Sequence, residues 1–454
     1  MSTMSNKLLI SPQDLFTKDI LDYQVKTVRY GKTNYVNLDN AATTPVLKVV
    51  EDGVRNYLTK YGSVHRGAGT KSKISTALYE KSRDTIKSFV NAPSDSYVLF
   101  TENTTEAMNV AAYFFSFIKG QIAVSAIEHS SSWLPWIKSE GLKALGKKQV
   151  LETELDLVND KIQQLGRKQV LQYEINDQFE FDLSSIEKIL KTNRIKVLIL
   201  TASSNINGYR PEITKIGALA HQYGAYFLVD ACQFIQHHPI DMQAMNIDFL
   251  AASGHKFYAP FGAGFLIGPK KFFDRFLPYQ IGGGNLPYIT KEGEFLRYEN
   301  QLAHDPGTPN AIGAVALALA LNELKRIGLK RIEHYEKSLT KRLYTYLKSN
   351  PKVELFVSEK HLNTVIPFRI IGMSSIAVAE KLNKNYGIGT RAGSFCVYHV
   401  IRNLLKIENE SGIVAAVKKG NTKLVPALIR ASIGLCNSEA DIDRTIEAIK
   451  EITA

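Results

Sequence analysis

The strongest constraint on this fold is an alternation. Short apolar runs, Tyr97–Phe100 (YVLF), Gln121–Ser125 (QIAVS), Val197–Thr201 (VLILT), Tyr226–Asp230 (YFLVD) and Phe249–Ala252 (FLAA), are separated by stretches with helical spacing, Thr105–Ile118, Ser184–Thr192 and Ile213–Tyr223. A strand that is apolar on both sides has to be covered on both faces. Such strands alternating with helices predict an α/β fold with a mainly parallel sheet. Beyond residue 330 the texture changes. Ile332–Ser349, Ile376–Tyr386 and Glu439–Ile452 read as helices, and Val353–Phe356 and Thr364–Arg369 as strands, which predicts a smaller α+β domain. With 454 residues the chain exceeds one ordinary core. We expect a large domain over 31–330 and a small one from 1–30 with 331–454.

Composition narrows the class. No apolar run approaches the roughly 18–20 residues of a membrane span. The opening MSTMSNKLLISPQDLF has a very short apolar stretch with acid soon after, so it does not read as a signal or transit peptide, and a cytoplasmic protein is expected. Three cysteines without a CxxC argue against a disulfide framework or a zinc site, and no metal is expected. The net charge of +12 is compatible with an acidic partner, but the basic residues are dispersed, which favours a lysine-rich soluble surface over nucleic-acid binding. Residues 147–178 are highly charged and predict a surface helix over 152–166, a solvated excursion or a contact for a partner.

The chemistry begins where strands end. Tyr226–Gln233 (YFLVDACQ) is an apolar strand closing on an acid, and ligands of open α/β sheets bind beyond the carboxyl ends of strands. By itself an aspartate such as Asp230 after a strand is more often a helix cap or turn residue. Lys256 follows the next strand in FLAASGHKFYAPFGAG, an amine among small and apolar residues where a hydrated charge is costly. A carboxylate and an amine at consecutive strand ends suit pyridoxal 5′-phosphate, with Lys256 as Schiff-base lysine and Asp230 holding the pyridinium nitrogen protonated. Thr104 and Thr105 in TENTTEAM open a helix and offer an anion site there, although helix capping alone would explain them. Ser253 and His255 add donors, and His129 in IEHSSSWLPW is a flat group that could stack on the ring.

These blocks, in this order, resemble the class V aminotransferase family of fold-type I pyridoxal-phosphate enzymes, and within it the cysteine desulfurase and selenocysteine lyase group. The likeness runs through LDNAATTP (Leu38–Pro45), SVHRG (Ser63–Gly67), TTEAMN, EHSSSWLPW, SSNINGYR (Ser203–Arg210), VDACQ, SGHKFYAPFGAG, GGGN (Gly282–Asn285), PGTPN (Pro306–Asn310), RAGSFC (Arg391–Cys396) and RASIG (Arg430–Gly434). It implies a large mainly parallel-sheet domain, a smaller α+β domain and a homodimer. It also implies roles for single residues. Lys256 would bind the cofactor and shuttle a proton, Asp230 would meet the pyridinium, Gln233 the ring hydroxyl and His129 the ring face. Thr105, Ser253 and His255, with Thr104 beside them, would hold the phosphate, and Thr308 would reach it from the neighbouring subunit. Arg430 would grip the substrate carboxylate, while Asn205, Ala41, His65 and Arg391 would line the substrate pocket.

Cys396 falls where that group carries its sulfur-accepting cysteine, so the resemblance implies release of alanine from a cysteine-like substrate, a persulfide on Cys396 and onward transfer to an acceptor protein. Read from the residues alone, Cys396 is a nucleophile or a small hydrophobe ahead of VYHVIRNLL. The persulfide-forming enzymes usually carry two histidines before this cysteine, where Ser394 and Phe395 stand here. That departure leaves open other class V chemistry: C–S lysis without a persulfide, epimerisation or transamination. A catalytically silent binding protein on the same fold is the alternative of another class.

Overall fold

The computed structural model describes residues 11–152, 155–176 and 179–454. The opening residues 1–10, read above for targeting signals, lie outside them, as do positions 153–154 and 177–178 of the charged segment. The chain divides into two compact units. One holds the described residues up to Lys48 with Ser203–Arg210 and Ile327–Ala454, and the other holds Val49–Ala202 and Pro211–Arg326.

The second of these contains the predicted sheet. Its strands are β1 (Ser96–Thr101), β2 (Gln121–Ser125), β3 (Val170–Tyr173), β4 (Ile195–Thr201), β5 (Tyr226–Asp230), β6 (Phe249–Ser253) and β7 (Gly264–Pro269). They form a seven-stranded sheet in the order β1-β7-β6-β5-β4-β2-β3. Neighbours from β6 through to β3 pair parallel, and β7 is inserted antiparallel between β6 and β1. The fold class is therefore the expected mainly parallel α/β sheet. Strands β4 and β6 are buried at every residue, as strands covered on both faces must be. On one side a tight aromatic cluster forms, with Phe115, Phe249 and Phe272 ring centroids 4.8–5.3 Å apart. Such edge-on and tilted contacts add to the area the rings remove from water.

The charged segment is more than an excursion. Its helix runs Leu155–Arg167, and after it β3 completes the sheet edge, with Val170 and Tyr173 buried and the Tyr173 hydroxyl donating to Ile199 O at 2.6 Å. The helix lies against Ser130–Glu152 at backbone contact: a Cβ at Gly141 would sit 2.0 Å from Ile162 O, and one at Gly166 1.9 Å from Ile137 O. Only glycine permits that approach.

The other unit is built on an antiparallel sheet of β8 (Val353–Leu355), β9 (Val365–Ile370), β10 (Arg391–Gly393) and β11 (Leu428–Ser432), in the order β8-β9-β11-β10. The helices Leu329–Ser349 and Glu439–Thr453 pack beside it, the latter started by a capping box between Ser438 and Asp441. The helix expected over 376–386 is α-helical for Ser375–Lys381 and widens to a π turn over Leu382–Tyr386 before Gly387 (φ 69°) ends it. The N-terminal block is tied to β11: Asp39 bridges Ser432, Ala41 N donates to Ser432 Oγ at 2.9 Å, and Asn40 Nδ2 donates to Ser432 O at 3.0 Å.

Candidate active site

Within the parallel-sheet unit, Asp230 is the last residue of β5 and 5% exposed. Its carboxylate is fixed on both oxygens, by Ser132 Oγ at 2.5 Å and by Cys232 N at 3.0 Å. Lys256 closes a short 3-10 turn, Gly254–Lys256, directly after β6. The turn can form only on glycine, because a Cβ at position 254 would stand 2.4 Å from Leu317 Cδ2 and within 2.9 Å of two backbone carbonyls.

Cys232 is near both acid and amine: its buried thiol is pushed up to about 12, first by burial and then by Asp230, with Lys256 acting the other way. Thr104 is buried, with its hydroxyl 2.6 Å from Cys232 Sγ, and Thr105 is exposed, 2.8 Å from Ser131 Oγ. The N-cap of their helix is Asn103, which accepts from Glu106 N. Asp230, Lys256 and Thr104 thus gather around Cys232, and Ser131 and Ser132 link this group to Thr105.

His129 is half-buried, and its Nδ1 accepts from Ser131 N at 3.1 Å, which leaves the ring proton on Nε2 when the imidazole is neutral. Gln233 is buried. Ser253 ends β6 with a buried hydroxyl that has no hydrogen-bond partner among the described residues. The His255 imidazole is pushed down to about 4, first by burial and then by the neighbouring Lys256 charge. Thr308 is exposed in a loop and lines a cleft of about 320 Å³ with Thr101, Gly262 and Asn310.

His65 belongs to a different network in the same unit. Its Nε2 is 2.7 Å from Glu80 Oε1, and Glu80 also takes Arg83 Nη1 at 2.6 Å. Arg83 forks onto both oxygens of Asp305 at 2.7 and 2.6 Å. His65, Glu80 and Asp305 stand close enough to share a metal, but the Arg83 guanidinium supplies the positive charge there.

The remaining expected residues meet within the other unit. Arg430, in the middle of β11 and 2% exposed, donates from Nη1 to Asn205 O at 3.0 Å and from Nη2 to Asp39 Oδ1 at 3.2 Å. Its Nε is buried without a partner among the described residues. Burial pushes its guanidinium down to about 10 against the opposing pull of Asp39. Arg391, exposed and paired with Arg430 across the β10–β11 ladder, approaches Asp39 Oδ2 at 3.7 Å. Asn205 Nδ2 donates to Phe395 O at 2.9 Å, and the Phe395 ring covers Arg430 at 4.9 Å. Cys396 follows, exposed. Phe395 and Cys396 both have positive φ, 54° and 59°, which costs non-glycine residues about 1–2 kcal/mol each.

Sequence reasoning gave no role to Asp39, Glu128 or Ser132, and noted Phe395 only as standing where related enzymes carry a histidine. All four lie inside quoted blocks, Asp39 in LDNAATTP, Glu128 and Ser132 in EHSSSWLPW and Phe395 in RAGSFC, so the signal was present but attached to neighbouring residues. Glu128 is wholly buried; it accepts from Ser125 Oγ and Thr201 N, each at 2.5 Å, and its carboxyl is pushed up to about 8, chiefly by burial.

Comparison with known proteins shows the family. The profile of the family described as aminotransferase class V matches residues 36–145 and 147–445. A cysteine desulfurase of Wigglesworthia glossinidia brevipalpis is 30% identical over 438 residues, spanning 95% of this chain and 96% of that protein. The apo structure of a cysteine desulfurase from Thermococcus onnurineus superposes with a TM-score of 0.77 at 29% identity, covering 92% of this chain and 94% of that one. A cysteine desulfurase of Escherichia coli gives a TM-score of 0.74 at 26% identity over the same shares. On its sheet topology, the match along nearly its whole length and these likenesses, the chain belongs to the class V aminotransferase family of pyridoxal-phosphate-dependent enzymes.

Proposed function

We propose that this enzyme takes sulfur, or selenium, from a cysteine-like amino acid, releases alanine and carries the sulfur on Cys396 as a persulfide. The observation that carries the reading is the juxtaposition of an exposed cysteine with a buried arginine that has an unpartnered Nε. A planar two-pronged cation held in place suits a substrate carboxylate.

The residues present fit pyridoxal 5′-phosphate. Ser253 offers a buried hydroxyl in need of a partner, Asp230 a carboxylate already oriented by two donors, and His255 an imidazole that is neutral at pH 7. In our reading Lys256, Asp230, Gln233 and His129 hold the ring, while Thr104, Thr105, Ser253 and His255 hold the phosphate. Thr308 from a second copy completes the phosphate site, so the working form is a homodimer. When bound, the cofactor supplies an electron sink that acidifies the substrate's α-carbon.

The chain's own groups do the rest. Arg430 and Asn205 orient the carboxylate, and Ala41, His65 and Arg391 are assigned to substrate recognition. Lys256 Nζ takes the proton from Cα and later returns one. The Cys396 thiolate attacks the substrate sulfur; the S–S bond forms as the Cβ–S bond breaks, and its electron pair stays with carbon, which is protonated to alanine. The exposed thiol then suits transfer to an acceptor protein in the cytoplasm. Among the described residues no helix is long and apolar enough to cross a membrane.

A second reading, C–S lysis without a persulfide, is favoured by Ser394 and Phe395, neither of which offers an imidazole beside the thiol. Incubation with L-cysteine separates the two. The first predicts alanine and protein-bound sulfane sulfur in step, both lost in Cys396→Ala. Unchanged turnover in Cys396→Ala would select the second.

A further inference from the structure

Phe395 and Cys396 are consecutive non-glycine residues in the left-handed region, a conformation that persists only where its surroundings enforce it. Three contacts enforce it here. Asn205 Nδ2 donates to the Phe395 carbonyl at 2.9 Å. The Phe395 ring, 7% exposed, lies 4.9 Å from Arg430 Cζ. Val397 N donates to Ser394 O at 2.9 Å and closes the turn. Asn205 also accepts Arg430 Nη1 on its own carbonyl at 3.0 Å, so its side chain holds the loop while its backbone holds the guanidinium. A carboxylate that draws on Arg430 therefore acts on the two groups that keep Cys396 in place.

We propose that Phe395 is a positioning residue that couples carboxylate binding at Arg430 to presentation of the Cys396 thiol. This rests on the reading of Arg430 and Cys396 given above, and it assigns a role to the residue that replaces a histidine. The aromatic face matters as well as the bulk: leucine fills the same space but presents no quadrupole to the guanidinium.

The test is the rate at which iodoacetamide alkylates Cys396 in the holoenzyme, mapped by peptide mass, with and without saturating L-alanine, a carboxylate ligand with no sulfur to give. In the native protein alanine should change the rate about fivefold, the scale of one cation–π contact. Phe395→Ala and Phe395→Leu should respond less than about twofold, and Phe395→Tyr, which keeps the face, should restore the response. Equal responses in Phe395→Leu and the native protein, or no response in the native protein, would overturn the coupling. If Cys396→Ala keeps full cysteine turnover while the Phe395 pattern holds, the persulfide reading fails and the coupling stands. If sulfur transfer needs Cys396 but alkylation ignores alanine, the reverse is true.

Discussion

Asp39→Asn is the most discriminating single change in the arginine site. Asp39 stands between two arginines, 3.2 Å from Arg430 Nη2 and 3.7 Å from Arg391 Nη1. A unit-charge pair at such a distance attracts by about 5 kcal/mol at an effective dielectric of 20. The desolvation of Arg430 (side chain 3% exposed) and the water that reaches Asp39 (side chain 25% exposed) lower the net effect. Asparagine keeps the shape and one acceptor oxygen but leaves the guanidinium with the Asn205 carbonyl as its main acceptor. We expect a loss of about 2–3 kcal/mol, below the 3–5 kcal/mol of breaking a fully buried pair. At roughly 2–4 °C per kcal/mol for a unit of 150–250 residues, the melting temperature should fall by about 4–12 °C. The same change removes a competitor for Arg430, so an amino-acid carboxylate should bind more tightly, about tenfold for each 1.4 kcal/mol released. Melts of native and variant protein with and without L-alanine, together with KM for the substrate, read both effects. The variant should melt lower, gain more from alanine and show a lower KM. An unchanged melt, or a smaller gain from alanine than in the native protein, would refute the view of Asp39 as a stand-in for the substrate carboxylate.

Other changes test the parallel-sheet unit. Gly254→Ala places a Cβ against two backbone carbonyls that cannot move freely, so thermal melts should show a loss of about 1–3 kcal/mol and absorbance should show weaker cofactor retention; a variant that matches the native protein in both would contradict the steric account. Asp305→Asn leaves buried Arg83 with Glu80 as its anionic partner and should cost about 3 kcal/mol in urea unfolding, a figure that a loss under about 1 kcal/mol would contradict. Glu128 gives a pH signature. Its ordinary value is 4.5 and its folded value about 8, so between these the folded state holds a proton that the unfolded state has released, and stability falls with rising pH by roughly 1.4 kcal/mol per unit. His255, depressed from 6.5 to about 4, gives the opposite slope in its own window, so Glu128 acts unopposed by it only above pH 6.5. The native protein should therefore lose stability from pH 6.5 to 8 and Glu128→Gln should stay nearly level; equal slopes would remove the buried-acid argument.

The sheet was legible because β2, β5, β6 and Val197–Thr201 of β4 are short, mainly apolar runs, as burial on both faces requires. Strand β3 was hidden because VLQY is short and lies in a charged stretch, and β7 because GFLIGP begins in a glycine-rich turn and ends in proline. Lys256 and Asp230 stood out because strand ends and an amine in apolar surroundings are local signals. The Asp39–Arg430 pair and the Asn205–Phe395 contact join residues nearly 200 to 400 positions apart, and no local spacing encodes them. Thr104 shows the limit from the other side: its place at a helix start was readable, but its contact with Cys232 depends on how that helix packs against β6 and β7.

In the proposed reaction sulfur moves onto Cys396. Peptide mass analysis after a single turnover with one equivalent of L-cysteine measures it directly. The account predicts the mass of one added sulfur on the peptide carrying Cys396, removed by a thiol reductant, with alanine formed in equal amount. Alanine or another product formed with Cys396 unmodified, or the added sulfur on Cys232 or Cys436, would contradict it.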